Sequence, residues 1–328
     1  MFALRSLAVV GTLMLLAACT PSSGGSGGFG PATGTSLVHT ANASRGKSWF
    51  NAAAQQSTLL YVSNTGGVTV YAYGGNNSFT LVGELFGFQT PAGECSDARG
   101  NVFITDEAAR AIVEYGHGSI TPKAVIPDTQ GQPLSCAIDR TTGHMAVTNY
   151  SDPSGAEPGN IVVYTLPSGT ATEYSDSHLY EPLYCAFDRK GNLFANAYDD
   201  TFHGVLGELR KGNSNFTILT LSGGTLNIPG WVLTKGTQLL MGDLYDPKTS
   251  SIYQLSVRGS TATVVGKIAL SDTQTLAQFT LFGSGSATAI IAPDNDYSNV
   301  QIYSFPGGSS LGSFTNGLSQ PIGTAISE

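Results

Sequence analysis

The chain has 328 residues, of which 41 are glycine, 15 are proline and only 12% are charged, with a formal net charge of −8. This composition favours many short strands and tight turns, and a body of about 290 residues is an ordinary size for one all-β unit. No basic run exists, which excludes the electrostatic footprint of a nucleic-acid binder.

The N-terminus comes first. Met1–Arg5 carries one positive charge, and Leu7–Ala18 is an apolar run. A bilayer-spanning helix needs about 20 residues, so this run suits the core of a signal peptide instead. It ends in Leu16-Ala17-Ala18-Cys19, which resembles a bacterial lipobox. That resemblance implies removal of residues 1–18, acylation of Cys19, and more than one acyl chain, as stable anchoring requires. The segment 19–45 is rich in Gly and Ser and reads as a flexible tether. Residues 46–328 are left as the folded body, expected outside the cytoplasm on a lipid anchor and expected to be monomeric.

Along the body, one order of features returns. Leu59–Ser63 and Val68–Tyr73 read as the second and third strands of a unit that lacks a first. A full unit then starts at Pro91 and runs through Asp97, Gly100, Val102–Asp106 and Ile112–Tyr115. Further starts fall at Pro133, Pro182, Pro229, near Leu276, and at Pro321. Units of 40–50 residues with four strand-like stretches are propeller blades, because one small twisted sheet buries both faces only between two neighbours. The orphan stretch Ser319–Ser327 supplies the missing first strand. Five complete units and one composite predict an all-β, six-bladed β-propeller of four-stranded blades, closed by the C-terminal strand.

The pattern across Pro91–Asp106, followed by Arg110-Ala111-Ile112, resembles an NHL repeat. The wider resemblance, over about residues 57–328 and best in blades two to four, is to six-bladed propellers of the NHL, streptogramin-lyase-like and gluconolactonase-like kind. It implies that the rim formed by the loops between second and third strands is the binding face. These loops hold Asp106, Glu107, Asp152, Glu157, Asp199, Asp200, Asp243, Asp246, Asp294 and Asp296, ten of the 23 acids in the chain.

Registering the repeats aligns Asn64, Asp106, Asn149, Ala197, Asp243 and Asp294 at the ends of the second strands. Two readings stand. Oxygen ligands from Asp106, Asp243 and Asp294 suit a hard cation such as Ca²⁺, and the gluconolactonase-like relatives hold a metal near this level. Alternatively, Asp and Asn cap the turns that follow. Tyr150, Tyr198, Tyr245 and Tyr297 join the acids, and Tyr beside carboxylates suits a polyol, a glycan or a protein partner. His203, beside Asp199 and Asp200, is the one candidate for a catalytic base of the lyase-like kind. No Ser-His-Asp order, nucleophile elbow or phosphate loop is present.

Three cysteines lie in first strands. Cys136 and Cys185 stand three residues after their prolines and Cys95 stands four after, so alternation places Cys95 on the opposite blade face. Either Cys95 and Cys136 meet across a blade junction as a disulfide, or all three are buried thiols. The functional expectation is a surface-tethered, non-enzymatic binding propeller. The alternative is a metal-dependent lactonase- or lyase-like enzyme with its site in the funnel.

Overall fold

A computed structural model describes residues 46–226, 228–243 and 249–328. Cys19, the segments 1–18 and 19–45, and Tyr245 lie outside the described residues. The body is all-β: six antiparallel sheets whose strands follow one another outward from an axis. Blade 2 sets the plan, with strands Pro91–Ser96, Val102–Asp106, Ala111–Tyr115 and Pro122–Pro127. The first three are buried along almost their whole length, while the fourth alternates exposed and half-buried positions. Strands covered on both faces read as near-continuous apolar runs, which is why period-two alternation is weak in this sequence.

Blades 3, 4 and 6 follow the same plan, with first strands Pro133–Ile138, Glu181–Phe187 and Thr280–Phe282. Blades 1 and 5 depart from the expected four strands. Trp49–Phe50 adds an outer strand to blade 1, and Thr220–Ser222 adds a parallel one to blade 5 beside Thr261–Ser271. Blade 1 is closed by the C-terminus. Gly323–Ser327 pairs antiparallel with Leu59–Asn64, from Leu59 opposite Ser327 to Ser63 opposite Gly323. A ring closed in this way leaves no inner sheet edge unpaired at the seam.

The Asp-x-x-Gly signature of the repeats now has a physical cause. In the turn from first to second strand, Asp97 Oδ1 accepts from the N–H groups of Arg99 and Asn101, while Gly100 takes a left-handed φ of 78°. Asp188 does the same for Lys190 and Asn192, with Gly191 at φ 82°. The aspartate side chain fastens the turn, and glycine occupies the one position where a Cβ is penalised.

Adjacent blades are tied by a girdle one residue before the aligned strand ends. Ser63 Oγ donates to Glu94 Oε1 (2.6 Å), Thr105 Oγ1 lies 3.0 Å from the Leu134 carbonyl, Thr148 Oγ1 donates to the Leu183 carbonyl (2.7 Å), and Asn196 Nδ2 donates to the Gly230 carbonyl (2.6 Å). Each bond runs from the second strand of one blade to the first strand of the next. Gly242 and Pro293 hold this position in blades 5 and 6 and carry no donor. There the junctions use Trp231 N to the Ala277 carbonyl (3.0 Å) and Gln278 Nε2 to the Thr324 carbonyl (2.6 Å). Cys95 and Cys136 are joined by a disulfide with a Cα–Cα distance of 5.6 Å, so blades 2 and 3 are also tied covalently, and Cys185 is a buried thiol.

Along the axis, Ala92, Leu134, Leu183, Trp231 and Leu276 from five blades belong to one buried apolar cluster.

Candidate functional site

The second strands end at Asn64, Asp106, Asn149, Tyr198, Asp243 and Asp294, as the repeats predicted except in blade 4, where the strand runs one residue past Ala197. Register confirms the alignment physically. Pro91 pairs with Asp106, Pro133 with Asn149, Pro182 with Ala197 and Pro229 with Asp243.

The aligned acids face the chain that enters their own blade. Asp106 accepts from the N–H groups of Gln89 (2.9 Å) and Thr90 (2.7 Å). Asp243 accepts from Ile228 N (3.2 Å), and Asp294 from Gln274 N (2.7 Å) and also, capping the turn after its own strand, from Asp296 N (3.1 Å). Each carboxylate thus satisfies donors in a segment that has no sheet partner, and fixes how the first strand is presented. Burial raises the Asp294 carboxyl above its ordinary value, against the pull of those backbone bonds. Asn64 Nδ2 donates to the Val62 carbonyl, and Asn149 Nδ2 to Asn160 Oδ1 (2.8 Å). Among the described residues no group of three or more His, Cys, Asp or Glu is arranged to hold a metal ion.

The other predicted residues separate into two kinds. Asp199 Oδ1 accepts from Thr201 N and His203 N within one tight turn, with Asp200 exposed beside it. His203 Nδ1 is 3.8 Å from Asp199 Oδ1 and its side chain is 79% exposed, so it sits on a hairpin tip and not in a cleft. Tyr297 is 57% exposed. Tyr150 and Tyr198, by contrast, are drawn into one cluster.

The Tyr150 hydroxyl is 2.6 Å from Glu107 Oε1 and 2.5 Å from Gln132 Oε1, and Ser151 Oγ donates to the same amide oxygen (3.1 Å). Glu181, 8% exposed, pairs across the sheet with Tyr198. Burial, with the charge of Glu157 added, pushes its carboxyl up to about 7. Its charge in turn helps raise both Tyr198 and Tyr150, where burial is the larger cause. The Tyr198 hydroxyl is buried and has no hydrogen-bond partner among the described residues. Burial also raises Glu107, opposed by its bond to Tyr150. Arg110 Nη1 donates to the Pro153 carbonyl (2.8 Å), bracing the loops of blades 2 and 3.

Gln132 and Glu181 escaped sequence reasoning because Gln132 lies on a blade-to-blade connection and Glu181 opens the first strand of blade 4, both outside the loops between second and third strands. The signal was present, since both kinds of loop share one rim.

No protein-family model matches the sequence, and no curated protein matches it. Solved structures do. A chain in a crystal structure titled Nidogen/Laminin Complex superposes with a TM-score of 0.67 at 16% identity, covering 83% of this chain and 98% of that one. Likeness at this identity establishes the six-bladed propeller fold and nothing finer.

Proposed function

We propose that this chain is a non-enzymatic binding propeller that receives a protein partner on the rim of blades 2–4. The observation that carries the reading is the Glu107–Tyr150–Glu181–Tyr198 cluster. It offers two carboxyl groups whose burial disfavours their charged form, and a buried tyrosine hydroxyl without a partner. A guanidinium or ammonium from a partner favours the charged carboxylates, and tyrosine supplies contact area at little entropic cost. The net charge of −8 supports a partner that presents basic side chains. The similar solved chain is, by its title, part of a protein complex, which fits a binding role for this scaffold.

The same proposal places the propeller outside the cytoplasm, held by lipid on Cys19, and treats its blades as NHL-like on the strength of their Asp-x-x-Gly turns. The test is photo-crosslinking in intact cell envelopes. A benzophenone side chain at Phe202, 47% exposed on the rim, should yield a discrete protein adduct that Glu181→Gln combined with Tyr150→Phe removes. The same probe at Val125, exposed on the outer strand of blade 2, should yield none. Equal adducts at both positions would contradict the proposal.

A further inference from the structure

The first strands run from the rim toward the opposite face. Along them lies a cavity of about 740 Å³, lined by residues of all six first strands and by part of the apolar cluster, including Trp231. Its mouth is framed by exposed turn residues, among them Ala98, Arg140, Arg189 and Glu328. A volume of this size lies in the range of pockets for small molecules, about 300–1,000 Å³.

The inner end of the cavity is polar and incompletely paired. Gln278 reaches from blade 6 past the C-terminal strand to blade 2. Its Nε2 donates to the Glu94 and Thr324 carbonyls, and its Oε1 accepts from Glu94 N. This holds the Glu94 backbone in place. The Glu94 side chain is 1% exposed, and Oε1 accepts from Ser63 Oγ (2.6 Å). Among the described residues its second oxygen, Oε2, has no hydrogen-bond partner, and neither does Thr324 Oγ1, although the backbone N–H groups of Ala325 and Ser63 lie near enough to favour the charged carboxylate. Both residues line the cavity. A buried polar atom left unpaired costs stability, so two lining one cavity are a pair of vacant hydrogen-bonding positions.

The chemistry of the walls narrows the ligand. Burial pushes the Glu94 carboxyl up to about 8, so near neutrality it is an uncharged group that can donate and accept. Thr324 offers a hydroxyl with the same versatility. Ile138, Phe187, Trp231 and Phe282 give the walls an apolar portion beside polar surface of similar extent. At the mouth, Asp97 and Asp188 are engaged by their own turns. Arg140, Arg189 and Glu328 mix signs there, so no single charge is selected. We propose that this cavity binds a small polyol or sugar-like ligand, whose hydroxyls pair with Glu94 Oε2 and Thr324 Oγ1 while its carbon face lies on the apolar wall. The site is separate from the rim, and the proposal does not depend on a protein partner there.

The test uses the full chain and saturation-transfer NMR titrations with myo-inositol, D-glucose and, as the competing chemistry, ethylammonium. At least one of the two hydroxylic probes should bind saturably. Glu94→Met, which removes the vacant oxygen, should weaken that binding by tenfold or more. Ala98→Trp, which places a bulky ring on an exposed turn at the mouth, should do the same and decides the matter alone if Glu94→Met fails to fold. Glu181→Gln on the far rim should leave the affinity unchanged. Absence of saturable binding, preference for ethylammonium, or an affinity unaffected by Ala98→Trp would overturn the proposal.

Discussion

At the rim end of the axis, the buried aspartates of blades 2, 5 and 6 meet backbone N–H groups: Asp106 those of Gln89 and Thr90, Asp243 that of Ile228, Asp294 those of Gln274 and Asp296. At the other end, Glu94 has one oxygen on Ser63, and its second has no hydrogen-bond partner among the described residues. The difference teaches what aligned acids in a propeller are for. An acid repeated at one register position is performing a task repeated in each blade, here fastening the loop that delivers the first strand. Glu94 appears once, at the register position that Cys136 and Thr324 hold in the neighbouring blades, and it ties its junction through a single oxygen on Ser63.

Four perturbations act unequally on the two ends of the axis. The largest effect belongs to the seam on which both ends depend. Deleting Gly323–Glu328 removes the strand paired with Leu59–Asn64 and takes away Thr324 from the cavity. Cooperative thermal unfolding should disappear, and a truncated chain that melts at the parental temperature would show that the ring closes without this strand.

Next comes pH. Glu94 titrates near 8 in the folded chain against an ordinary value of 4.5, because burial penalises its charged form. Between those values the folded state holds a proton that the unfolded state has released. Stability must therefore fall as pH rises from about 5 to 8, by up to about 1.4 kcal/mol per pH unit. Glu181, raised to about 7, adds to the loss over the lower part of that window. Denaturant melts at pH 5 and pH 8 should show Glu94→Gln losing less stability across the interval than the parent does. An identical loss in both proteins would remove Glu94 as the cause.

A smaller effect is expected in the girdle. Thr148→Val leaves the buried Leu183 carbonyl without its hydroxyl donor and should cost about 1–3 kcal/mol, read as a lower urea midpoint at unchanged slope. No change would mean that the carbonyl finds another donor. The smallest concerns Ca²⁺. With Asp106, Asp243 and Asp294 engaged by their incoming loops, CaCl₂ and NaCl of matched ionic strength should shift Tm equally. An excess shift in CaCl₂ that is lost in Asp243→Asn with Asp294→Asn would return these residues to the role of cation ligands.

Much of the fold was legible because it is written locally. The Asp-x-x-Gly turn at 97–100 and the Pro91–Asp106 pairing each lie within a span of 16 residues, so the spacing of the repeat carried them. The cysteine offset was legible for the same reason. Cys95 pairs with Phe103, three residues before Asp106, whereas Cys136 pairs with Val147, two before Asn149, and a one-residue change of register reverses the face. The extra strands at Trp49–Phe50 and Thr220–Ser222 were not legible, since short outer strands depend on what they lie against. Nor was the cavity end. Gln278 and Glu94 are 184 residues apart, and their pairing exists only once the ring closes. The direction of the ring acids was hidden too, because Asp106 reaches Thr90 or the axis according to a side-chain rotation that spacing does not encode.

The most direct measurement is a side-chain carboxyl titration by carbon NMR on the full chain labelled at glutamate, with Glu94→Gln and Glu181→Gln for assignment. The account predicts one resonance with a midpoint near 8 that vanishes in Glu94→Gln, and a second near 7 that vanishes in Glu181→Gln. If every glutamate titrates below pH 5, the acid at the cavity end is paired or hydrated like the others, and the contrast between the two ends of the axis is gone.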